Sequence, residues 1–359
     1  MRILLVEPEY YSQLPPLPLL KLSAYHKLRG DEVIGLVRGC SFPNSEPDRI
    51  YVTSLFTWAW RPVWDAIRHY KGLFPNAEIW LGGLYASLLP EHASGSGADY
   101  ICTGIFKEVE DLLPDYDILE SSERWKGWDA SLIFSSRGCP FECGYCAVPF
   151  LEGKISLVKH TIKHLVYPKH KRIILLDNNI LASPSWRNIF EELIEMGRIV
   201  DFNQGLDARL INDEVAQKLS RMKVQIIRLA YDRKNMKRYV ERAIELLSSY
   251  GIRRRKIMVY CLFNYTDDPE DFFERVRDIL NWGVVAYPMR YEPIFTLKKN
   301  TYIAPKWDAR RIDMVQRARR VIGYGGAFPP YEGLIKKFNQ AENFDEAFAL
   351  RPIKRGVKN

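Results

Sequence analysis

The sequence predicts an α/β protein built on parallel sheets and divided into two domains and a tail. Short apolar runs alternate with amphipathic stretches of helical period along most of the chain, which is how successive strand–helix–strand units read. At 359 residues the chain is long enough for two domains. Its 47% apolar content, with 17 Phe, 9 Trp and 20 Tyr, is ample for two cores.

Taken in order, residues 2–7 and 32–38 read as strands. Between them, residues 16–29 carry Leu17, Leu20, Ala24 and Leu28 at helical spacing and close on Gly30. Residues 49–55 predict a third strand, 60–74 a helix, 78–81 a strand ending in Gly82-Gly83, and 99–102 a short last strand. The first domain is thus expected over 1–110. The polar stretch 111–128 is the linker candidate. A second series runs over 129–304, with strands at 130–134, 172–176, 200–202, 225–229, 256–262 and 285–289. Helices are expected at 156–165, 184–196, 213–222, 234–250 and 269–282. The tail, 305–359, starts with a basic amphipathic helix over 308–322 and continues Gly323-Tyr-Gly-Gly-Ala-Phe-Pro-Pro.

Charge is unevenly spread. Residues 1–127 hold 12 Lys+Arg against 17 Asp+Glu, a balance of −5, while residues 128–359 hold 40 against 27, a balance of +13. The second part therefore suits an anionic partner, nucleic acid or a phosphorylated small molecule, with a basic surface lacking any partner as the alternative. No run approaches the about 20 apolar residues that cross a bilayer, and the N-terminus becomes charged too soon for a signal peptide. Six cysteines, three of them in one loop, fit a reducing compartment, so a cytoplasmic protein without membrane contact is expected.

That loop, Arg137-Gly-Cys-Pro-Phe-Glu-Cys-Gly-Tyr-Cys-Ala147, carries the most chemistry. Cys139, Cys143 and Cys146 are spaced Cys-x3-Cys-x2-Cys, and three thiolates can hold three irons of a 4Fe-4S cubane while the fourth iron stays open to a substrate. Zinc, with His160 or His164 as fourth ligand, is one alternative, and a redox or disulfide pair with a bystander is another. Nothing in the chain supplies the second close pair of ligands usual for zinc, and a zinc module has no need of six strand–helix units.

The spacing and Tyr145 resemble the signature of the radical S-adenosylmethionine (SAM) superfamily. The resemblance implies a partial (βα)6 barrel over 129–304, a cluster on Cys139, Cys143 and Cys146, SAM chelated at the open iron, and an electron donor such as a ferredoxin or flavodoxin. Reductive cleavage of SAM would then give a 5′-deoxyadenosyl radical. Phe141 and Tyr145 would shield the cluster and pack on the adenine, or pack on the barrel rim. Asp177 and Asn178 end a strand where relatives contact the SAM amino group, although both also suit caps and turns. Gln204 and Arg209 would face the ribose or carboxylate of SAM, with Asp207 pairing with Arg209. Arg228, inside a strand, needs an anion: the SAM carboxylate, or Asp177 or Asp207 in a salt bridge. Asn264 would bond the ribose or adenine, and Asp268 would cap the next helix. Arg290, Tyr291 and Glu292 would lie across the mouth beside the substrate and are the catalytic candidates. Cys261 could relay a radical or simply fill the core, and Cys40 and Cys102 read as small buried residues.

The first 110 residues are similar to the Rossmann-like cobalamin-binding domain of many radical SAM enzymes. The likeness rests on Thr53-Ser54-Leu55, 26 intervening residues, Gly82-Gly83, Ala86-Ser87 and Pro90-Glu91. It implies that Thr53, Leu55, Gly82 and Gly83 line the nucleotide tail of cobalamin. Two departures stand against it: no Asp-x-His-x-x-Gly motif is present, and only residues 39–48 separate the second and third strands, where a full domain has a helix. A shortened domain kept as scaffold or lid is the alternative. The tail would cover the barrel mouth and grip an anionic substrate, or form a solvated closing helix. The function expected from these resemblances is radical modification of an anionic metabolite or biopolymer at an unactivated carbon, in its sharpest form cobalamin-dependent C-methylation. Cobalamin-independent modification of nucleic acid or peptide, and a non-catalytic iron–sulfur protein binding nucleic acid, are the rivals.

Overall fold

The computed structural model describes residues 1–323 and 332–349. The chain is α/β with parallel sheets and divides into two compact units. The first holds Met1–Asn178, Ala182–Glu192 and Glu292–Thr301; the second holds Asn179–Leu181, Leu193–Tyr291 and Tyr302–Asn359.

In the first unit, strands β1 (Arg2–Glu7), β2 (Glu32–Arg38), β3 (Arg49–Ser54), β4 (Glu78–Gly83) and β5 (Tyr100–Ile101) form a parallel sheet in the order β2-β1-β3-β4-β5. Helix α1 (Leu17–Leu28) lies on one face; α2 (Trp60–Leu73), α3 (Leu84–Leu88) and α4 (Pro90–Ser94) lie on the other. Both faces are covered, which is why β1 reads as an unbroken apolar run: Ile3 and Leu5 pack with Leu19 and Leu20, while Leu4 and Val6 pack with Val63, Ile67 and Tyr70. The order reverses between β1 and β3, and in open sheets of this kind ligands sit beyond the strand ends at such a reversal.

Residues 39–48 run from β2 to β3 without a helix. They are tied to α2, where the Tyr70 hydroxyl donates to the Ser41 carbonyl (2.6 Å) and Phe42 meets His69 edge to face. Cys40, expected to be buried, is exposed on this segment just past the Gly39 turn, and Cys102 is only half-buried. Residues 111–128 fold back on the α1 face, burying Tyr116, Leu119 and Trp125. Tyr116 accepts from the Leu132 amide (2.6 Å), and Trp125 donates to Glu7 Oε2 (2.8 Å).

Strands β6 (Ala130–Ile133) and β7 (Arg172–Leu175) pair in parallel, with Ala130, Leu132, Ile174 and Leu176 packed around Leu17. Between them stand the cysteine loop and α5 (Val148–Leu151). The helix expected at 156–165 is absent apart from a single turn, Lys163–Leu165. Its amides are used at long range instead: Ser156 bonds to Arg137 and Lys159 to Ser135, so the segment forms the return arm of the loop. α6 (Trp186–Met196) follows.

The second unit has a short parallel pair, β8 (Ile199–Phe202) with β9 (Lys223–Val224), and a parallel sheet of β10 (Ile227–Ala230), β11 (Ile257–Phe263) and β12 (Val285–Arg290). Of the strand expected at 225–229, residues 227–229 fall in β10, while 225 and 226 lie between β9 and β10. Helices α7 (Asp213–Arg221), α8 (Lys237–Ser249) and α9 (Pro269–Asn281) connect them, and α10 (Ala309–Ile322), α11 (Glu332–Gln340) and α12 (Phe344–Phe348) follow. Local chemistry accounts for the helices. Asn212, Asp268 and Asp308 accept from backbone amides three residues on, and α8 buries Val240, Ala243, Ile244 and Leu247 at the spacing of one helical face. The expected Gly-rich stretch 323–330 lies outside the described residues beyond Gly323. Among the described residues no helix is long and apolar enough to cross a membrane.

Candidate functional site

The chain leaves β6 through Phe134-Ser135-Ser136 and enters the cysteine loop. The Asp177 carboxylate, 3% exposed at the end of β7, holds this entry: it accepts from the Ser135 amide (3.0 Å) and hydroxyl (2.6 Å), and from the Ser136 amide (2.7 Å) and hydroxyl (2.9 Å). Burial pushes its pKa above the usual carboxylate range, against the opposing pull of those four hydrogen bonds.

Gly138 then turns the chain at φ +79° with the Lys154 carbonyl oxygen 2.2 Å from where a Cβ would stand, so the position admits only glycine. Arg137 and Ser156 exchange backbone hydrogen bonds of 2.9 Å, and the Cys139 amide donates to the Gly153 carbonyl at 2.9 Å. Glu152 joins three parts of the site, receiving Arg137 (3.1 Å), the Gly138 amide (2.8 Å) and the Asn178 amide group (2.7 Å). Arg137 also grips Glu110 through two bonds of 2.9 and 2.8 Å. Burial pushes Glu110 up, but Arg137, joined by Lys21 and Lys159, holds that carboxyl below its usual range. Beneath this pair Lys21, 4% exposed, donates to the Glu110 carbonyl (2.6 Å), and burial lowers its pKa to about 8.

Cys139, Cys143 and Cys146 are all half-buried on this loop and none is in a disulfide. The Cys146 thiol is pushed up by burial, pulled back by a hydrogen bond from the Val148 amide (3.5 Å), and pushed up again by Cys143, Cys139 and Glu152. Among the described residues no three His, Cys, Asp or Glu side chains converge tightly enough to hold a single metal ion. A cubane gives each thiolate its own iron, so the thiols that serve it stand wider apart than the ligands of one ion. The donor set, three thiols outside any disulfide on one loop with the Val148 N–H directed at the Cys146 sulfur, is of the chemical kind such a group takes. Phe141 and Tyr145 are half-buried on the same loop. His164 bonds Asp111 (2.9 Å) and His160 faces the Ser185 hydroxyl (3.5 Å). A cleft of about 290 Å³ opens beside the return arm, lined by Ile105, Lys107, Leu151, Glu152, Ser156 and Leu157. A larger cavity, about 680 Å³ among α10, α11 and α12, is lined by no cysteine or histidine, so size alone does not mark the site.

In the first sheet, Thr53 is buried and pairs in register with Gly82, and Leu55 is half-buried against the core. Gly83, at φ +102°, would place a Cβ 2.1 Å from the Ser54 carbonyl oxygen, so its lack of a side chain already serves the approach to β3. At the end of β1, Glu7 is 2% exposed, and burial pushes its carboxyl up against the pull of Trp125 and Arg38.

The second unit carries the other candidates. Arg209 forks onto Asp207 (2.8 and 2.7 Å), as expected, and Asp207 also accepts from Asn179 (3.1 Å). Arg228 is ion-paired, but with Asp201 on β8 rather than with Asp177 or Asp207. Gln204 is exposed beside Gly205. Asn264 is fully buried in the left-handed region (φ +65°), with its amide bonded to the Tyr302 carbonyl (3.1 Å) and the Ala304 amide (2.8 Å). A non-glycine residue in that conformation at a strand end is strained backbone. Arg290 also reaches the Tyr302 carbonyl (2.8 Å), and Tyr291 packs between Tyr265 and Tyr302. Asn264, Arg290 and Tyr291 are thus gathered around Tyr302. Glu292 belongs to the first unit, where it accepts from the Asn300 amide (3.1 Å). Cys261 is fully buried, and burial pushes its thiol up to about 12 despite the Arg275 guanidinium 3.0 Å away, which makes it inert filler.

Sequence reasoning missed Ser135, Ser136, Glu110 and Glu152. Only the position of Ser-Ser directly before the loop, and of Glu152 soon after Cys146, could have drawn attention to them.

No protein-family model matches the chain. Over 198 residues, 49% of this chain, it is 23% identical to the bacteriochlorophyllide d C-12(1)-methyltransferase of Chlorobaculum tepidum. The match covers 43% of that protein, so the chain spans less than half the length of the relative it matches.

Proposed function

We propose that the chain is a radical SAM enzyme that modifies a carbon centre, with methyl transfer as the favoured outcome. The observation that carries the reading is the cysteine loop: three thiols outside any disulfide, at Cys-x3-Cys-x2-Cys spacing, on a loop fixed from both sides at the end of a parallel strand. A 4Fe-4S cluster on Cys139, Cys143 and Cys146 would supply an open iron for SAM and the electron that cleaves it to a 5′-deoxyadenosyl radical. The residues around it have separate tasks. Gly138, Glu152 and Asp177 hold the loop, and Phe141 and Tyr145 screen it from water. Asn178, Gln204, Arg209, Arg228 and Asn264 are proposed to bind SAM, and Arg290, Tyr291 and Glu292 to face the substrate. A partial barrel over 129–304 is part of the proposal. The similarity to a methyltransferase supports methyl transfer, and that relative's substrate, a bacteriochlorophyllide, makes a carbon on a large organic molecule the natural target class.

A second reading, radical modification without cobalamin, is favoured by the first sheet. Residues 39–48 form no helix, so the wall that a helix would give a cobalamin site is missing there. Gly83 is needed where it stands for the backbone of β4 to pass that of Ser54, with or without a cofactor.

The test is anaerobic reconstitution with iron and sulfide, reduction, and chromatography for 5′-deoxyadenosine formed from SAM, with Cys143→Ala as control and hydroxocobalamin in parallel. Deoxyadenosine from the wild type alone supports the reading, and retained corrinoid selects its cobalamin-dependent form. An intact cluster without SAM cleavage contradicts it.

A further inference from the structure

Beside the cysteine loop, the first unit exposes an aromatic platform that the roles above leave unused. Phe56 and Trp58, on the connection from β3 to α2, stack with ring centroids 4.5 Å apart and planes 8° from parallel. The Lys299 ammonium covers the Trp58 ring at 4.3 Å. With Trp58 flanked by Phe56 and Lys299, the open surface of this stack is that of Phe56, which is 38% exposed. The neighbouring segment is held in place by the Thr57 hydroxyl, which donates to the carbonyls of Thr296 (2.6 Å) and Ile294 (3.2 Å). Phe295 on that segment is 46% exposed and meets Phe150 edge to face at 5.4 Å. Phe150 is 63% exposed on α5, four residues beyond Cys146.

Aromatic rings left in water cost free energy, and a cluster of them on one unit marks a binding surface. The charge beside them narrows the ligand. Lys298 and Lys299 are exposed, and neither is ion-paired with a carboxylate among the described residues. The unit that carries them holds 22 Lys+Arg against 24 Asp+Glu, so it offers a polyanion no attractive field, while two lysines answer one or two carboxylates. The geometry points to a site for a flat, largely apolar molecule bearing one or two carboxylates, stacked on Phe56 and Phe150 with its acid end at Lys298 and Lys299. This deepens the function proposed above by naming the substrate class, and rests on it only for what becomes of the ligand, because binding needs no cluster.

The probe is 1-pyrenebutyrate, followed by fluorescence anisotropy with the full-length chain. Its uncharged analogue 1-pyrenebutanol separates stacking from charge, and a single-stranded oligothymidylate serves as competitor. The wild type should bind the butyrate at least about fivefold more tightly than Phe150→Ala, a substitution at an exposed ring that spares the core. Lys298→Ala with Lys299→Ala should weaken the butyrate by about fivefold and leave the butanol unchanged. Equal binding by all variants would overturn the proposal. So would displacement by oligothymidylate, which would make the platform a nucleic-acid surface. Failure here with normal SAM cleavage would remove only this site, whereas pyrene binding without SAM cleavage would remove only the radical reading.

Discussion

The cysteine loop and the strand ends of the second unit are both crowded with polar side chains but use them differently. Around the loop, Asp177, Glu152 and Arg137 bond to backbone and to neighbouring arms, fixing a main-chain path on which the three thiols stand half-buried and outside any disulfide. In the second unit the polar groups satisfy one another: Arg209 with Asp207, Arg228 with Asp201, Asn264 with the segment at Tyr302. The first pattern fixes the backbone of the loop that carries the three thiols. The second leaves each of these polar groups with a partner inside its own unit.

That contrast can be broken by substitution. Asp177→Ala should have the largest effect, because it orphans the buried amides of Ser135 and Ser136. At about 1–3 kcal/mol for each stranded donor, a loss of about 4 kcal/mol is expected, read by denaturant unfolding, together with failure to assemble a cluster. Gly138→Ala should cost about 3 kcal/mol, since its Cβ collides with the return arm. A variant as stable as the wild type would show that the loop is not held as described.

Lys21→Met tests the charged base of the loop. The folded ammonium loses its proton at about 8, against about 10.4 in the unfolded chain. Between those values the unfolded state binds the extra proton, so Lys21 makes stability rise with pH, and below about 8 its burial is a full penalty. Thermal unfolding from pH 7 to 9.5 should show Lys21→Met more stable than wild type at pH 7 and the gap narrowing upward. A gap independent of pH would mean that Lys21 is neutral or solvated.

Arg209→Ala should have the smallest effect on stability. The pair is one-third exposed on the arginine side, and such pairs contribute about 0–1 kcal/mol. Its effect should appear instead as a KM for SAM raised about tenfold at little change in Tm. An unchanged KM would make Arg209 a purely structural partner of Asp207.

Much of the fold was legible because it depends on local pattern. β1, α8 and the cap at Asp268 follow from apolar runs, helical spacing and an Asp before Pro269. What was not legible depends on distant partners. Residues 156–165 have a helical pattern, but their amides are claimed by Arg137 and Ser135 some twenty residues away. Arg228 was seen to need an anion, yet which one depends on β8 lying next to β10, and spacing carries no such information. Asp177 stood out in the sequence as a polar break, while the two serines it holds did not.

The most direct test of the central claim is electron paramagnetic resonance of the reduced, anaerobically reconstituted chain, with and without SAM, beside an iron assay. The account predicts about four irons per chain, lost in Cys139→Ala, Cys143→Ala or Cys146→Ala, and a cluster signal that changes when SAM is added. A stable signal indifferent to SAM would contradict the account, as would zinc in place of iron.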